Sequence, residues 1–234
     1  MIRHIALSAI AAAFTFAATP AAAQDIGLSP AVENTEATNV ENREIPIRVN
    51  FDMQEDRENI LLLDLSTGER VAIRLVPEWA PSHVERIKTL TREGFYNGVP
   101  FHRVIDGFMA QTGDPTGTGQ GGSTLPDLEE EFNMLPHVRG SVSMARADDE
   151  DSANSQFFIV FYPRFALDRR YTNFGRVIDN MAAVDAIQRG EPPSNPTRIL
   201  QASIAADNVA QMMPGEANAE SDRITMDMLV GSGN

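Results

Sequence analysis

The chain has 234 residues, of which 42% are apolar and 7% aromatic, enough for one globular domain with extensions. Its 33 acidic and 19 basic residues give a net charge of −14, which argues against the basic surface that nucleic-acid binding needs. The absence of cysteine excludes disulfides, thiol nucleophiles and cysteine-based zinc sites.

The first 23 residues have the pattern of a secretory signal peptide. Arg3 supplies the positive start, residues 5–18 the apolar middle, and three alanines at 21–23 the small-residue cleavage site before Gln24. The alternative is an uncleaved membrane anchor, but the apolar run is shorter than the roughly 20 residues that span a bilayer. We therefore expect an exported, periplasmic protein that leaves the membrane after cleavage.

Residues 24–58 are predicted to be an acidic linker because they are polar and largely aperiodic. Within them, segment 45–52 alternates apolar and polar residues, as a strand does, and Pro46 would restrict such a strand to a sheet edge. We expect an extra edge strand or an arm laid on the domain, carried by Ile45, Ile47, Val49 and Phe51.

The main body, 59–206, begins with the run ILLLDLSTGERVAIRLV, which predicts a hairpin around a Ser-Thr-Gly turn. A helix is predicted from Pro81 to Gly94, with its apolar stripe on Val84, Ile87 and Leu90. Five strand-like runs follow: FHRVI, FMAQTG, GSVSMA, NSQFFIVF and TNFGRVID.

Asp179 is predicted to cap a second helix, which buries Met181, Val184 and Ile187 and precedes the closing strand PTRILQASI. Many short strands with isolated helices favour a mainly antiparallel sheet closed into a barrel, with helices covering its ends. The remaining residues, 207–234, are predicted to be a flexible tail, with a short helix from Ser221 as the alternative.

Two motifs give only weak evidence for a ligand site. The glycines at 117, 119 and 122 fit the spacing of a dinucleotide-binding loop, but three glutamates and Pro126 follow where a helix N-terminus is needed. The acidic run at 148–151 lacks the ligand spacing of a calcium loop, so a solvated turn is favoured over weak cation binding.

His83 and His137 fit no metal-ligand spacing, and we expect both to face solvent.

Strand parity predicts a peptide groove. Met109 would share one face with Gln111, and Phe158 would share one face with Gln156. Two such strands side by side would form an apolar floor with hydrogen-bonding edges. By the same parity, Arg103 would share a face with Phe101 and Ile105.

The sequence resembles the cyclophilin-type peptidyl-prolyl cis-trans isomerases, particularly exported bacterial ones. The resemblance covers about residues 59–205 and is most specific in FHRVI, GFM, GDPTGTG and SQFFI. It implies a closed eight-stranded antiparallel β-barrel capped by two α-helices, here with flexible N- and C-terminal extensions.

The resemblance also implies site residues. The catalytic arginine falls on Arg103, with His102 and Gln111 beside it. The implied substrate-binding positions are Phe108, Met109, Ala145, Arg146, Ala147, Gln156, Phe158, Leu167 and Tyr171. Arg146 and Tyr171 replace residues common in relatives, and Ala166 stands where tryptophan is frequent, so we expect weak binding of cyclosporin-type ligands.

These features predict an isomerase that rotates Xaa-Pro bonds in unfolded or exported proteins and assists their folding. Rotation breaks no covalent bond, so we expect no metal or other cofactor. The expected partners are proline-containing polypeptides and not nucleic acid, and the expected state is a monomer. The alternative is a non-catalytic proline-peptide-binding or chaperone module on the same fold.

Overall fold

The computed structural model describes residues 47–216. The predicted signal peptide, most of the linker and the predicted helix from Ser221 lie outside the described residues. Between residues 47 and 216 the chain contains eight strands and two α-helices. The strands are β1 Ile60–Leu65, β2 Arg70–Leu75, β3 Arg103–Ile105, β4 Met109–Thr112, β5 Ser141–Met144, β6 Phe157–Val160, β7 Asn173–Asp179 and β8 Ile199–Ile204, and the helices are α1 Pro81–Arg92 and α2 Met181–Asp185.

All eight strands form one antiparallel sheet in the order β3-β4-β6-β5-β7-β2-β1-β8. No ladder joins β3 to β8 within the described part of the chain, so the sheet forms an open half-barrel and the continuous closure implied by the resemblance is not seen. At that seam, Pro100 makes only an isolated bridge with Arg198, and Val104 one with Gly190. Proline lacks the N–H that a continued ladder would require.

The interior of the sheet is filled by alternate residues of its strands and covered by both helices. Helix α1 begins at Pro81 and buries Val84, Ile87 and Leu90, as predicted. Helix α2 buries Val184, but its cap is Asn180 rather than Asp179, because Asp179 is the last residue of β7 and the Asn180 side chain accepts a bond from the Ala183 amide.

The outer face of β1 and β2 is covered by the ends of the described chain. The expected edge strand at 45–52 does not form over its described part. Instead, the buried Arg74 side chain donates hydrogen bonds to carbonyl oxygens of residues 50–56, which are then not available to a neighbouring strand. These acceptors are Asn50 at 3.1 Å, Asp52 at 2.6 Å, Glu55 at 3.0 Å and Asp56 at 2.8 Å.

Residues 208–216 lie against β1 and β8 rather than extending free. The Met212 amide donates to the buried Asp64 carboxylate at 2.8 Å, and the Gln201 side chain donates to the Ala210 carbonyl at 2.8 Å. Asp64 is also paired with Arg70 at 2.6 Å. None of the described helices is long and apolar enough to cross a bilayer.

Candidate functional site

The candidate site lies on the outer face of β3, β4 and β6. Antiparallel pairing sets Arg103 opposite Gln111 and sets Gln111 opposite Phe158. Two pairs further along, on the same face, Ile105 lies opposite Met109. Because side chains alternate across a strand, their neighbours point inward and belong to the main core, namely Val104, Ala110, Phe157 and Ile159.

Phe101 does not follow this alternation. It precedes β3, is fully buried and packs in the main core. The parity that predicted a common face for Phe101 and Arg103 was therefore wrong, because the strand starts only at Arg103.

The outer face carries an apolar cluster separate from the main core. Met109, Phe158 and Val160 are buried in it. The ring of Tyr171 meets that of Phe158 edge to face, with centroids 5.6 Å apart. This cluster surrounds a cavity of about 220 Å³ lined by Arg103, Phe108, Met109, Gln111, Ala145, Arg146, Phe158, Leu167 and Tyr171. The volume is small for a drug-sized ligand and suits one small ring.

A line of polar groups forms one edge of the cavity. The Arg103 Nε donates to Glu191 Oε2 at 2.9 Å, and Arg103 Nη1 makes a long contact of 3.5 Å with Gln111 Oε1. Gln111 Nε2 donates to Gln156 Oε1 at 2.9 Å. Gln156 in turn donates to the carbonyls of Gly119 and Gly121, so the line ends in the glycine-rich loop, residues 113–122.

The glycine-rich loop is folded around the buried carboxylate of Asp114. This carboxylate accepts from the backbone amides of Thr116, Gly119 and Gly121 at 2.8, 2.6 and 3.1 Å. Burial alone would raise the pKa of Asp114, but these bonds and the Thr116 hydroxyl lower it to about 2. A Cβ at Gly121 would lie 2.1 Å from Asp114, so glycine is required there. The loop therefore binds its own carboxylate and not a phosphate.

A second cavity, of about 440 Å³, adjoins the first and shares Gln111, Ala145 and Arg146 with it. Its walls include Ala147, Gln156 and the glycine-rich loop. The two cavities form one groove, apolar at one end and polar at the other, which an extended peptide can occupy.

At the rim of the apolar cavity, Arg146 links the loop that follows β5 to the loop that precedes β7. Its guanidinium donates to the carbonyls of Arg170 at 3.1 Å and Ala147 at 2.9 Å, and it lies 5.0 Å from the centre of the Tyr171 ring. Ala166 is exposed and lines a shallow groove beside Leu167 rather than the apolar cavity itself. The rim at that point is open.

His102 does not reach the cavity. It is buried under the glycine-rich loop, where a Cβ at Gly119 would lie 3.7 Å from its ring. Burial lowers the pKa of His102, which keeps the ring neutral at ordinary pH. Its position suits support of the loop more than contact with a bound peptide.

The expectation that His83 and His137 face solvent was wrong. Both are buried, and each is bonded to a carboxylate: His83 to Glu131 at 2.6 Å, and His137 to Asp168 at 2.8 Å. His137 also stacks on Phe158, with ring centres 6.4 Å apart. Burial lowers the pKa of His137 despite the nearby carboxylate.

Glu191 was also missed by sequence reasoning. It lies 88 positions from its partner Arg103, in a proline-rich loop with no strand pattern. No local pattern links Glu191 to Arg103, so the sequence carried no signal for this pair. Within residues 47–216, no group of three His, Asp or Glu side chains could hold a metal ion, including the acidic run at 148–151.

A family profile described as "Cyclophilin type peptidyl-prolyl cis-trans isomerase/CLD" matches residues 62–204. A probable peptidyl-prolyl cis-trans isomerase of Brucella suis is 48% identical over 168 residues, which cover 65% of this chain and 85% of that protein. Peptidyl-prolyl cis-trans isomerase-like 3 of Rattus norvegicus is 40% identical over 151 residues, which cover 60% and 93%.

Two solved structures are also similar. A cyclophilin from Hirschia baltica has a TM-score of 0.61 and 29% identity, covering 66% of this chain and 76% of that one. A cyclophilin-type isomerase from Cryptosporidium parvum, crystallised in the presence of the dipeptide Ala-Pro, has a TM-score of 0.58 and 28% identity, covering 62% and 98%.

Proposed function

The chain belongs to the cyclophilin-type peptidyl-prolyl cis-trans isomerases, and we propose that Arg103 is the group with which it rotates Xaa-Pro bonds in exported proteins. The observation that carries this proposal is the meeting of one guanidinium with a small apolar cavity on the outer face of the sheet. The Ala-Pro dipeptide named with the Cryptosporidium structure supports a proline-containing peptide as the ligand.

The apolar walls would hold the proline ring. Phe108, Met109, Phe158 and Leu167 line a volume suited to one ring, which would displace water from these walls on binding. The adjoining polar cavity, with Ala145, Ala147 and Gln156, would bind the residues that precede the proline. Fixing the peptide on both sides of the bond leaves rotation about that bond as its main freedom and reduces the entropy lost in reaching the twisted state.

Arg103 would act on the twisted state. Rotation has a barrier of about 18–20 kcal/mol, set by amide resonance, and it breaks no covalent bond. When the amide twists, the proline nitrogen regains a lone pair and can accept a hydrogen bond that the planar amide accepts poorly. A guanidinium N–H that donates there binds the transition state more strongly than the ground state.

Export supplies the biological setting of the proposal. It is supported by the pattern of residues 1–23. Uncatalysed prolyl isomerisation takes about 10–100 s at 25 °C and can limit folding. A compartment that receives unfolded chains would benefit from a catalyst that needs no nucleotide.

The proposal is tested by refolding and by secretion. We expect the protein to accelerate refolding of a reporter whose slow phase is limited by prolyl isomerisation, and we expect Arg103→Ala to remove that acceleration. Material exported from the expressing cells should begin at Gln24. Acceleration that survives Arg103→Ala would overturn the catalytic role of Arg103, and no acceleration by the unchanged protein would favour a binding module. A retained N-terminal segment would overturn the proposed cleavage and release.

A further inference from the structure

Glu191 is held beside Arg103 by backbone pairing. The Val104 amide donates to the Gly190 carbonyl at 2.7 Å, and the Gly190 amide donates to the Val104 carbonyl at 2.9 Å. In an antiparallel arrangement, the residue pair adjacent to such a doubly bonded pair has a shorter Cα–Cα distance, and its side chains lie closer together. These residues are Arg103 and Glu191, whose side chains meet at 2.9 Å.

The loop that carries Glu191 has little freedom. Gly190 has a φ of +145°, and a Cβ there would lie 2.5 Å from Pro193 Cα, so no other residue fits without a shift. Two prolines follow Glu191 and restrict the backbone further. The carboxylate is therefore presented to Arg103 by a constrained support.

This ion pair decides how the guanidinium is oriented. Glu191 accepts from the Nε–H, and the only other side-chain hydrogen bond of the Arg103 guanidinium among the described residues is the long one, 3.5 Å, from Nη1 to Gln111 Oε1. Removing the carboxylate would leave the planar group held by that long contact alone. With the carboxylate bound to Nε–H, the N–H groups on Nη1 and Nη2 can donate to an incoming acceptor.

The same pair contributes little to stability. The side chains of Arg103 and Glu191 are 42% and 52% exposed. Exposed ion pairs add little to the free energy of unfolding, because solvent and salt screen them. An effect of Glu191 should therefore be seen in turnover and not in folding.

We propose that Glu191 is a positioning residue for the isomerase reaction, which fixes the plane of the Arg103 guanidinium so that an Nη–H meets the proline nitrogen in the twisted state. This inference rests on the proposed catalytic role of Arg103. It assigns Glu191 to catalysis through Arg103 and not to peptide binding.

The first test compares Glu191→Gln with the unchanged protein. We expect kcat/KM for an Xaa-Pro peptide to fall about fivefold, on the scale of one exposed charge pair. The peptide Kd, measured by NMR titration, and the melting temperature should stay the same. Glu191→Asp, which keeps the charge, should recover part of the loss. Asp106→Asn is the matched control, since it removes another exposed charge, paired with Arg189, and should change none of these quantities.

The second test combines Glu191→Gln with Arg103→Ala. If Glu191 acts through Arg103, the double variant should be no slower than Arg103→Ala alone. An equal loss in both backgrounds, or full activity of Glu191→Gln beside an impaired Arg103→Ala, would overturn the positioning role. If Arg103→Ala itself kept full activity, the proposed catalytic role of Arg103 would fail instead.

Discussion

At the residue scale, the site depends on where strand pairing places a few side chains. Arg103, Gln111 and Phe158 come from three strands but stand in one row, because each is paired with the next. A charged donor, an amide and an aromatic wall are thus fixed by backbone hydrogen bonds and not by loops. Sites built on strands in this way hold their geometry more closely than sites on loops.

At the same scale, Ala166 stands where tryptophan is frequent in relatives. Ala166 leaves an open groove beside Leu167, where a large side chain would extend the apolar rim. We expect Ala166→Trp to tighten cyclosporin binding about tenfold, or about 1.4 kcal/mol, through partial burial of the added indole. Isothermal titration would measure the Kd.

The control is Phe165→Trp, which adds an indole one position away, where the side chain is exposed and does not line the groove. An unchanged Kd for Ala166→Trp, or an equal gain for both variants, would show that this rim position does not limit binding.

At the element scale, the glycine-rich loop is part of the site because it is folded around Asp114 and bonded to Gln156. Its glycine spacing fits a dinucleotide-binding loop, but its backbone amides donate to Asp114. Spacing could not identify the carboxylate at its centre, because the bonds come from backbone amides, which every residue type but proline offers. The alternation that placed Met109 with Gln111 was readable, since it is a local property of a strand.

Asp114→Asn tests the loop. At pH 7 we expect a fall of about 2 kcal/mol in the free energy of unfolding, from weakened charge-assisted bonds. The folded state lowers the pKa of Asp114 from 3.8 to about 2, so its contribution is complete above pH 4 and is lost as pH falls toward 2. The difference between the two proteins, measured by urea unfolding, should therefore be constant from pH 7 to 5 and shrink below pH 4. A difference that grows as pH falls would contradict this assignment.

At the scale of the whole molecule, residues 50–56 and 208–216 lie over the outer face of β1 and β2. Arg74 donates to carbonyls of the first segment, and Asp64 accepts from the Met212 amide in the second. These partners were not predictable, because Asp64 and Met212 are 148 positions apart and no local pattern links them. The same is true of His83 with Glu131 and of His137 with Asp168, at separations of 48 and 31. The hairpin, both helices and the closing strand were readable because their signals are local.

Truncation tests the docked tail. A chain ending at 207 loses the bonds to Asp64, Gln201 and Gly68, and we expect its free energy of unfolding to fall by about 1–3 kcal/mol, as for a buried carboxylate that loses a partner. Its kcat/KM should stay unchanged, because these contacts involve none of the residues that line the apolar cavity. A chain ending at 216 keeps all three bonds and serves as the control. Equal stability of both truncated chains would show that the docked segment contributes nothing.

The most direct test of the account is the peptide isomerisation rate of Arg103→Ala, measured in a protease-coupled assay beside the peptide Kd. We predict that kcat/KM falls about 100-fold or more, as for loss of a donor that acts on the transition state, while the Kd changes by less than about threefold. A variant that binds and turns over the peptide like the unchanged protein would contradict the claim that this guanidinium catalyses rotation.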